Sequence, residues 1–300
     1  MEVKILEFQK NLSLGIVQFR SENVNTFDYI SSEEAMKNNL IEVNEISEGG
    51  SVNNLFVINR SDKHVFFMDG DILQGAKQNR VINTSMLIAP ESKTSVPVSC
   101  VESGRWRYSS SKFSSSDYIA PHKLRSDKAK HIKKNLENDK LFYSDQGEVW
   151  NKVSDYEEAH HCKSMTSNLS FIYENKESEF AEFMKIFGLN AEANGIAIFI
   201  KNKILNIDLF NRDNIFREYF PKILKAAAME TYRLRESDRP LSETEAKFKT
   251  NDFFDNFEKL EFSIHKSLGV GQERRFETME FTGLELAYEN HLIHLTSLGF

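Results

Sequence analysis

Cysteine and proline are scarce in this chain. Its 300 residues include two cysteines, Cys100 and Cys162, and five prolines. Two cysteines outside a Cys-x-x-Cys pair make no disulfide framework, and they point to a reduced, cytoplasmic protein. No run of about 18 apolar residues occurs, so no membrane-spanning helix is expected. The opening MEVKILEFQK lacks a charged segment followed by an apolar one, so no secretory signal is expected. Positive charge is in deficit too. The net charge is −7, which argues against general nucleic-acid binding. Reaction-defining motifs are missing: there is no Gly-x-Ser-x-Gly elbow, no Walker-type phosphate loop and no His-Glu-x-x-His. No internal repeat is seen.

What is present is ordinary for a soluble globular protein, at 40% hydrophobic and 28% charged residues. The 24 phenylalanines predict an aromatic-rich core. The length allows one large domain or two modest ones. Short apolar runs predict strands over 3–8, 12–19 and 41–46, with a helical turn near 33–37 and a close at Gly49-Gly50. Leu55–Ile58 and Val65–Met68, joined by the turn residues Asn59 to Lys63, read as a hairpin. Ile82, Thr84, Met86 and Ile88 share one strand face. Pro97 inside the following run predicts an edge or a bulge.

Ser109–Ser116 reads as a serine-rich loop. Ser126 can cap a helix bearing Ala129, Ile132 and Leu136, and a second helix starts near Glu148. Phe180, Phe183, Met184 and Phe187 form an amphipathic stripe. Residues 195–210 read as a hairpin turning at 201–203. Ile215–Arg235 reads as a helix with a kink or a fresh start at Pro221. Ser242 and Glu245 form a capping box before Phe253, Phe254 and Phe257. Strands close the chain from about 260. Strands, then helices, then strands argue α+β rather than alternating β/α units. The expected division is a β-rich half over 1–120, with a sandwich-like sheet, and a mixed helix and strand half over 121–300, packed as one unit.

The sharpest features fall between Leu55 and Tyr108. Asp69, Asp71, Gln78, Arg80, Glu102, Arg105 and Arg107 all sit at strand ends or corners there. Glycine lets backbone approach a ligand or take positive φ, and the arginine fork binds carboxylate or phosphate through two donors. Gly70, Asp71, Gly75, Gln78, Arg80 and Arg105 are therefore candidate ligand-binding residues. Arg80 and Arg105 would clamp an anion, while Glu102 would orient Arg105 or act as the general base. Glu102 and Arg105 are three apart, and Ser103-Gly104 between them reads as a corner that folds the two together. The opposite reading is that the arginines pair with Asp69, Asp71 and Glu102 as structural salt bridges. Gly269-Val270-Gly271 with Arg274 could form a second wall, or simply a tight turn. It is not a dinucleotide fingerprint, since no third glycine and no βαβ unit accompany it, and no cofactor is expected.

Three stretches, Gly70-Asp71-Ile72-Leu73-Gln74-Gly75, Gln78-Asn79-Arg80 and Cys100-Val101-Glu102-Ser103-Gly104-Arg105-Trp106, resemble the ARG and rhodanese-phosphatase-superfamily-associated protein domain family. The tail from Gly269 to Arg275, through His294-Leu295, resembles the end of that family, so the likeness spans nearly the whole chain. The family name implies genomic association with ADP-ribosylglycohydrolases and phosphatases, and through them NAD or ADP-ribose metabolism. It assigns no catalytic residue.

Charge is unevenly spread. Residues 103–134 hold nine lysines and arginines against Asp117 and Asp127, so they carry +7 and the remainder −14. This is an anion-attracting island or a solvated helix face. His160-His161-Cys162 invites a metal reading. Adjacent helical residues point about 100° apart, however, and zinc needs three or four converging ligands, so no metal is expected. His291 and His294 fall on opposite faces of a strand and read as packed or hydrogen-bonded histidines. Cys100 reads as a buried, inert strand cysteine. The leading expectation is a protein that binds or processes an anionic phosphorylated small molecule, with ADP-ribose as an example. The alternative is a non-catalytic interaction domain whose motif residues fix the fold.

Overall fold

A computed structural model describes residues 1–46, 53–138, 141–231, 234 and 240–300. The expected close at Gly49-Gly50 and helix end at Arg235 lie outside the described residues. Two compact units interleave along the chain. The first takes residues 1–28, 178–265 and 271–300, and the second takes 29–177 and 266–270. A boundary at 120 therefore falls inside the second unit.

The chain opens in the first unit with β1 (Val3–Asn11) and β2 (Leu14–Ser21). In the second unit follow β3 (Ile30–Ser31), α1 (Ser32–Lys37), β4 (Ile41–Glu45), β5 (Asn54–Asn59), β6 (Val65–Phe67), β7 (Asp71–Gly75), β8 (Arg80–Ile82), β9 (Met86–Ile88), β10 (Ser92–Cys100) and β11 (Phe113–Ile119). Helices α2 (His122–Leu136), α3 (Gln146–Ala159) and α4 (Leu169–Asn175) complete that run, and α5 (Glu177–Met184) leads back. The remainder is β12 (Gly195–Ile200), β13 (Lys203–Phe210), α6 (Asp213–Thr231), α7 (Glu243–Phe257), β14 (Ser263–Lys266), β15 (Gln272–Glu277), β16 (Phe281–Tyr288) and β17 (His291–Gly299). The fold class is α+β, with a β-rich N-terminal half and a mixed C-terminal half.

The first unit is built on an eight-stranded sheet in the order β1-β2-β12-β13-β17-β16-β15-β14. Alternate residues of its strands, among them Val17, Phe19, Ala197, Phe199, Ile207 and Leu209, form a core against Phe253, Phe254 and Phe257 of α7. Burying each of the larger of these side chains contributes about 1.5–3 kcal/mol. The rings add edge-to-face contacts, with Phe19 on Phe254 at 5.0 Å and Phe257 on Phe276 at 5.6 Å. Ser242 caps α7 by accepting from the Glu245 N–H at 3.2 Å, as the capping box predicts. The 195–210 hairpin forms, with Lys201 at φ +56° in its turn. Helix α6 runs without a break through Pro221.

The second unit holds a six-stranded sheet, β11-β7-β8-β10-β5-β4, and a three-stranded one, β3-β6-β9. Several expectations are corrected here. β5 and β6 do not form a hairpin: β5 pairs with β4 and β10, and β6 pairs with β3 and β9. The Asn59 side chain redirects the chain by donating to Lys63 O and Ala89 O, both at 2.8 Å. Pro97 marks no edge. It is the last β5-paired residue of β10, and β8 takes over from Val98, so the missing N–H falls where the partner strand changes. The second half of the serine-rich segment is strand β11, paired with β7. Ser126 lies buried inside α2, whose N-cap is Pro121, with no side-chain cap bond. No helix among the described residues is long and apolar enough to cross a membrane.

Candidate functional site

The corner after β10 does fold Glu102 and Arg105 together. Gly104 makes the close approach possible, since an added Cβ would lie 2.8 Å from Thr166 Cα. Its N–H donates to Thr166 O at 2.9 Å. Arg105 Nε donates to Glu102 Oε1 at 2.9 Å, and Nη2 donates to Oε2 at 2.7 Å, a two-donor fork. Glu102 accepts two further bonds, from the Thr166 hydroxyl at 3.0 Å and the Asn79 N–H at 3.1 Å. The remaining Arg105 donors reach Ala76 O, Arg107 O, Ser109 Oγ, Gly75 O and Asn79 Oδ1 at 2.7–3.3 Å. The pair thus ties together the 75–79 turn, the 102–109 loop and the loop ahead of α4. Both Glu102 oxygens and every Arg105 nitrogen already face protein partners, a geometry that frames loops rather than clamps a ligand.

The other candidates are also internally engaged. Asp71 accepts from the Met68 N–H at 2.9 Å and the Ser32 hydroxyl at 3.3 Å. Gly70, at φ +91°, lies against the Arg125 side chain, where a Cβ would come within 3.0 Å of Cδ. Arg125 in turn pairs with buried Asp69 at 3.1 Å. Gly75 takes φ +117° and packs on Ser110 and Lys112. Gln78 Oε1 accepts from Arg80 Nη1 at 3.0 Å and from the Cys100 thiol at 3.1 Å. Arg80 is fully buried, 3.5 Å from Glu45. Burial pushes its pKa down from the usual arginine value, and the neighbouring Cys100 and Glu45 oppose that. Burial pushes the Cys100 thiol up, against the pull of Arg80. Cys100 is therefore held protonated, which fits an inert strand cysteine better than a nucleophile.

Arg274 belongs to the first unit and not to the unit that holds the other candidates. It pairs with Glu258 at 3.3 Å and Glu285 at 3.1 Å, and stacks over Phe262. Gly269, in the second unit, allows the chain onto β9, since a Cβ there would meet Leu87 O at 2.0 Å. His294 is buried beside Asp208 at 3.5 Å and packs on Phe210. His160 is the buried C-cap of α3 and His161 is exposed.

Sequence reasoning missed the rim of this network. Lys77 lies largely buried with its ammonium 5.2 Å from the Trp106 ring and 5.3 Å from the Tyr108 ring. Both rings are about half exposed, at 47% and 52%. Beside them, Tyr108 and Ser109–Ser111 line a cleft of about 490 Å³. The signal lay in the Gly-Arg-Trp-Arg-Tyr run, where two aromatics alternate with two arginines in a loop. None of four clefts among the described residues takes Arg80, Glu102 or Arg105 as a wall.

The motif residues that tie these loops lie within one long match. The model of the ARG and Rhodanese-Phosphatase-superfamily-associated Protein domain covers residues 2–298. The chain belongs to this family. No curated protein and no solved structure matches it. The family match takes in both units, including the Glu102–Arg105 corner and the Arg274 strand.

Proposed function

We propose that the chain binds an anionic phosphorylated small molecule carrying a planar group, of which ADP-ribose is an example. The site is the loop Trp106–Ser111 rather than the buried network beneath it. The observation that carries this reading is the pair of half-exposed rings over Lys77, beside the serine-lined cleft. Exposed aromatic faces stack planar groups. Arg107, exposed and between Trp106 and Tyr108 in the sequence, supplies a charged fork for phosphate, and the Ser111 hydroxyl is an added donor. Glu102 and Arg105 act as positioning residues that hold this loop against the 75–79 turn.

A thermal-shift titration with ADP-ribose, AMP and inorganic phosphate tests the site. The nucleotides raise the melting temperature of the wild-type protein more than phosphate does, and Trp106→Ala removes the difference while its unliganded melting temperature stays near wild type. No shift with any of the three overturns the reading. That outcome supports the second one, an interaction domain without a small-molecule ligand. The complete engagement of the Arg105 donors within the protein favours that second reading.

A further inference from the structure

Among the exposed large apolar side chains of the described residues, three share one cleft in the first unit. Phe248 on α7, Met279 in the turn between β15 and β16, and Phe300 after β17 are 67%, 97% and 49% exposed. They rim a cleft of about 410 Å³. Its floor is Ile204, Phe253 and Phe281, with Phe253 edge-on to Phe281 at 5.9 Å. Exposed apolar side chains gathered at a cleft that Lys203, Lys249, Asp252 and Glu280 also line have the make-up of a contact face with a charged rim.

The walls are fixed. Thr278 Oγ1 accepts from the N–H groups of Glu280 and Phe281 at 3.1 and 3.0 Å, and Thr278 N–H donates to Phe281 O at 2.7 Å. This locked turn presents Met279 outward. On the facing wall Lys249 of α7 donates to Asn202 O and pairs with Glu245 at 3.1 Å. The Phe300 N–H donates to Glu280 O at 3.0 Å. The patch therefore holds a projecting side chain and a preformed hollow side by side.

The charges are arranged to match. β13, β17 and β16 are neighbours in the sheet. Lys203 opens β13, Phe300 follows β17, and Glu280 precedes β16, all at one end of the sheet. Lys203 and Glu280 thus flank Phe300 on opposite sides, separated by two strand spacings, about 10 Å. A two-fold axis near Phe300 would set Lys203 of each copy against Glu280 of the other, and Met279 of each against the other's hollow. Such self-complementarity is what an isologous interface requires.

We propose that this sheet end is the contact face of a two-fold dimer, with a second copy of this chain as its occupant. Sedimentation of the full chain over a wide concentration range tests it. Wild type shows a reversible monomer–dimer equilibrium. Met279→Glu, at a fully exposed position, leaves the thermal melt of the monomer unchanged and abolishes the dimer. Lys203→Glu and Glu280→Lys each weaken the dimer several-fold, and the two together restore it. A wild-type chain that stays monomeric overturns the proposal, as does a dimer indifferent to Met279→Glu. Failure of the double reversal to restore association overturns the two-fold arrangement.

Discussion

Arg105 and Arg274 look equivalent in the sequence. Arg105 directly follows Gly104 and Arg274 comes three residues after Gly271, and each offers a fork suited to an anion. In the second unit Arg105 sits at a corner with its side chain 12% exposed and bonded to Glu102, to the carbonyls of Gly75 and Ala76 where β7 ends, and to Arg107 O in its own loop. In the first unit Arg274 lies in β15, 28% exposed, paired across the strands with Glu285 and sideways with Glu258. The sheet around Arg274 is held by its own ladder, so the pair there is an addition. Arg105 itself lies outside any ladder, and its side chain adds donors to the carbonyls of Gly75, Ala76 and Arg107. An arginine fork is therefore worth most where backbone has no secondary-structure partner.

The largest expected effect breaks that corner. Arg105→Ala leaves the buried Glu102 carboxylate without its charged partner, with only the Thr166 hydroxyl and the Asn79 N–H still donating to it, and removes the guanidinium donors to Gly75 O, Ala76 O and Arg107 O. Glu102→Ala leaves the guanidinium, the Asn79 N–H and the Thr166 hydroxyl without their acceptor. Each should cost about 3–5 kcal/mol, the range for removing one member of a buried pair. Arg105→Lys should rescue little, because an ammonium cannot reproduce the planar fork. Chemical denaturation curves read this directly. A cost near zero for Arg105→Ala would mean that its bonds are incidental and that it is available to a ligand.

Gly75 comes next. Its φ of +117° and the 2.4 Å approach of Ser110 Oγ to a built Cβ leave no room for alanine. Gly75→Ala should cost about 1–3 kcal/mol, the scale for a residue held in a sparsely populated backbone region. Because the same turn lies under Arg105, the substitution should also loosen the 102–109 loop. Limited proteolysis near Arg107 would then rise together with the loss of stability. Equal stability and equal cleavage would separate the turn from the loop.

The legible parts of this molecule are the ones whose partners are near in sequence. Alternation over Ile196, Ile198 and Ile200 fixes the β12–β13 hairpin, and Ser242 with Glu245 fixes the start of α7. The Ser103-Gly104 corner makes the Glu102–Arg105 contact readable. Its saturation was not readable, because Asn79, Ala76 and Thr166 come from other parts of the chain. β11 is hidden in the sequence because its pairing with β7 is made by backbone, which a serine run conceals, with buried Phe113 as the only apolar marker at its start. β5 and β6 look like a hairpin until Asn59 is seen tying the turn to Ala89, a contact thirty residues away.

Arg274 supplies the smallest effect and the sharper contrast. Arg274→Ala should cost about 1 kcal/mol or less, the usual worth of a partly exposed pair, and Arg274→Lys should largely restore it. The pH dependence of Glu285 shows which force dominates there. Burial pushes its carboxyl above the usual carboxylate range, nearby Glu258 adds to the rise, and Arg274 opposes it. A carboxyl with a raised folded-state pKa binds its proton more tightly in the native state than in the unfolded chain. Its contribution to stability is full below the ordinary carboxylate value and is lost as pH rises through the raised one. Glu285→Gln removes that loss. The variant should match wild type at acid pH and become the more stable of the two on the approach to neutrality, by less than about 1 kcal/mol. Paired denaturation curves across the acid range measure the difference. If the Gln variant instead falls behind as pH rises, attraction to Arg274 outweighs burial, and the strand pair is as much a fixed tie as the corner at Arg105.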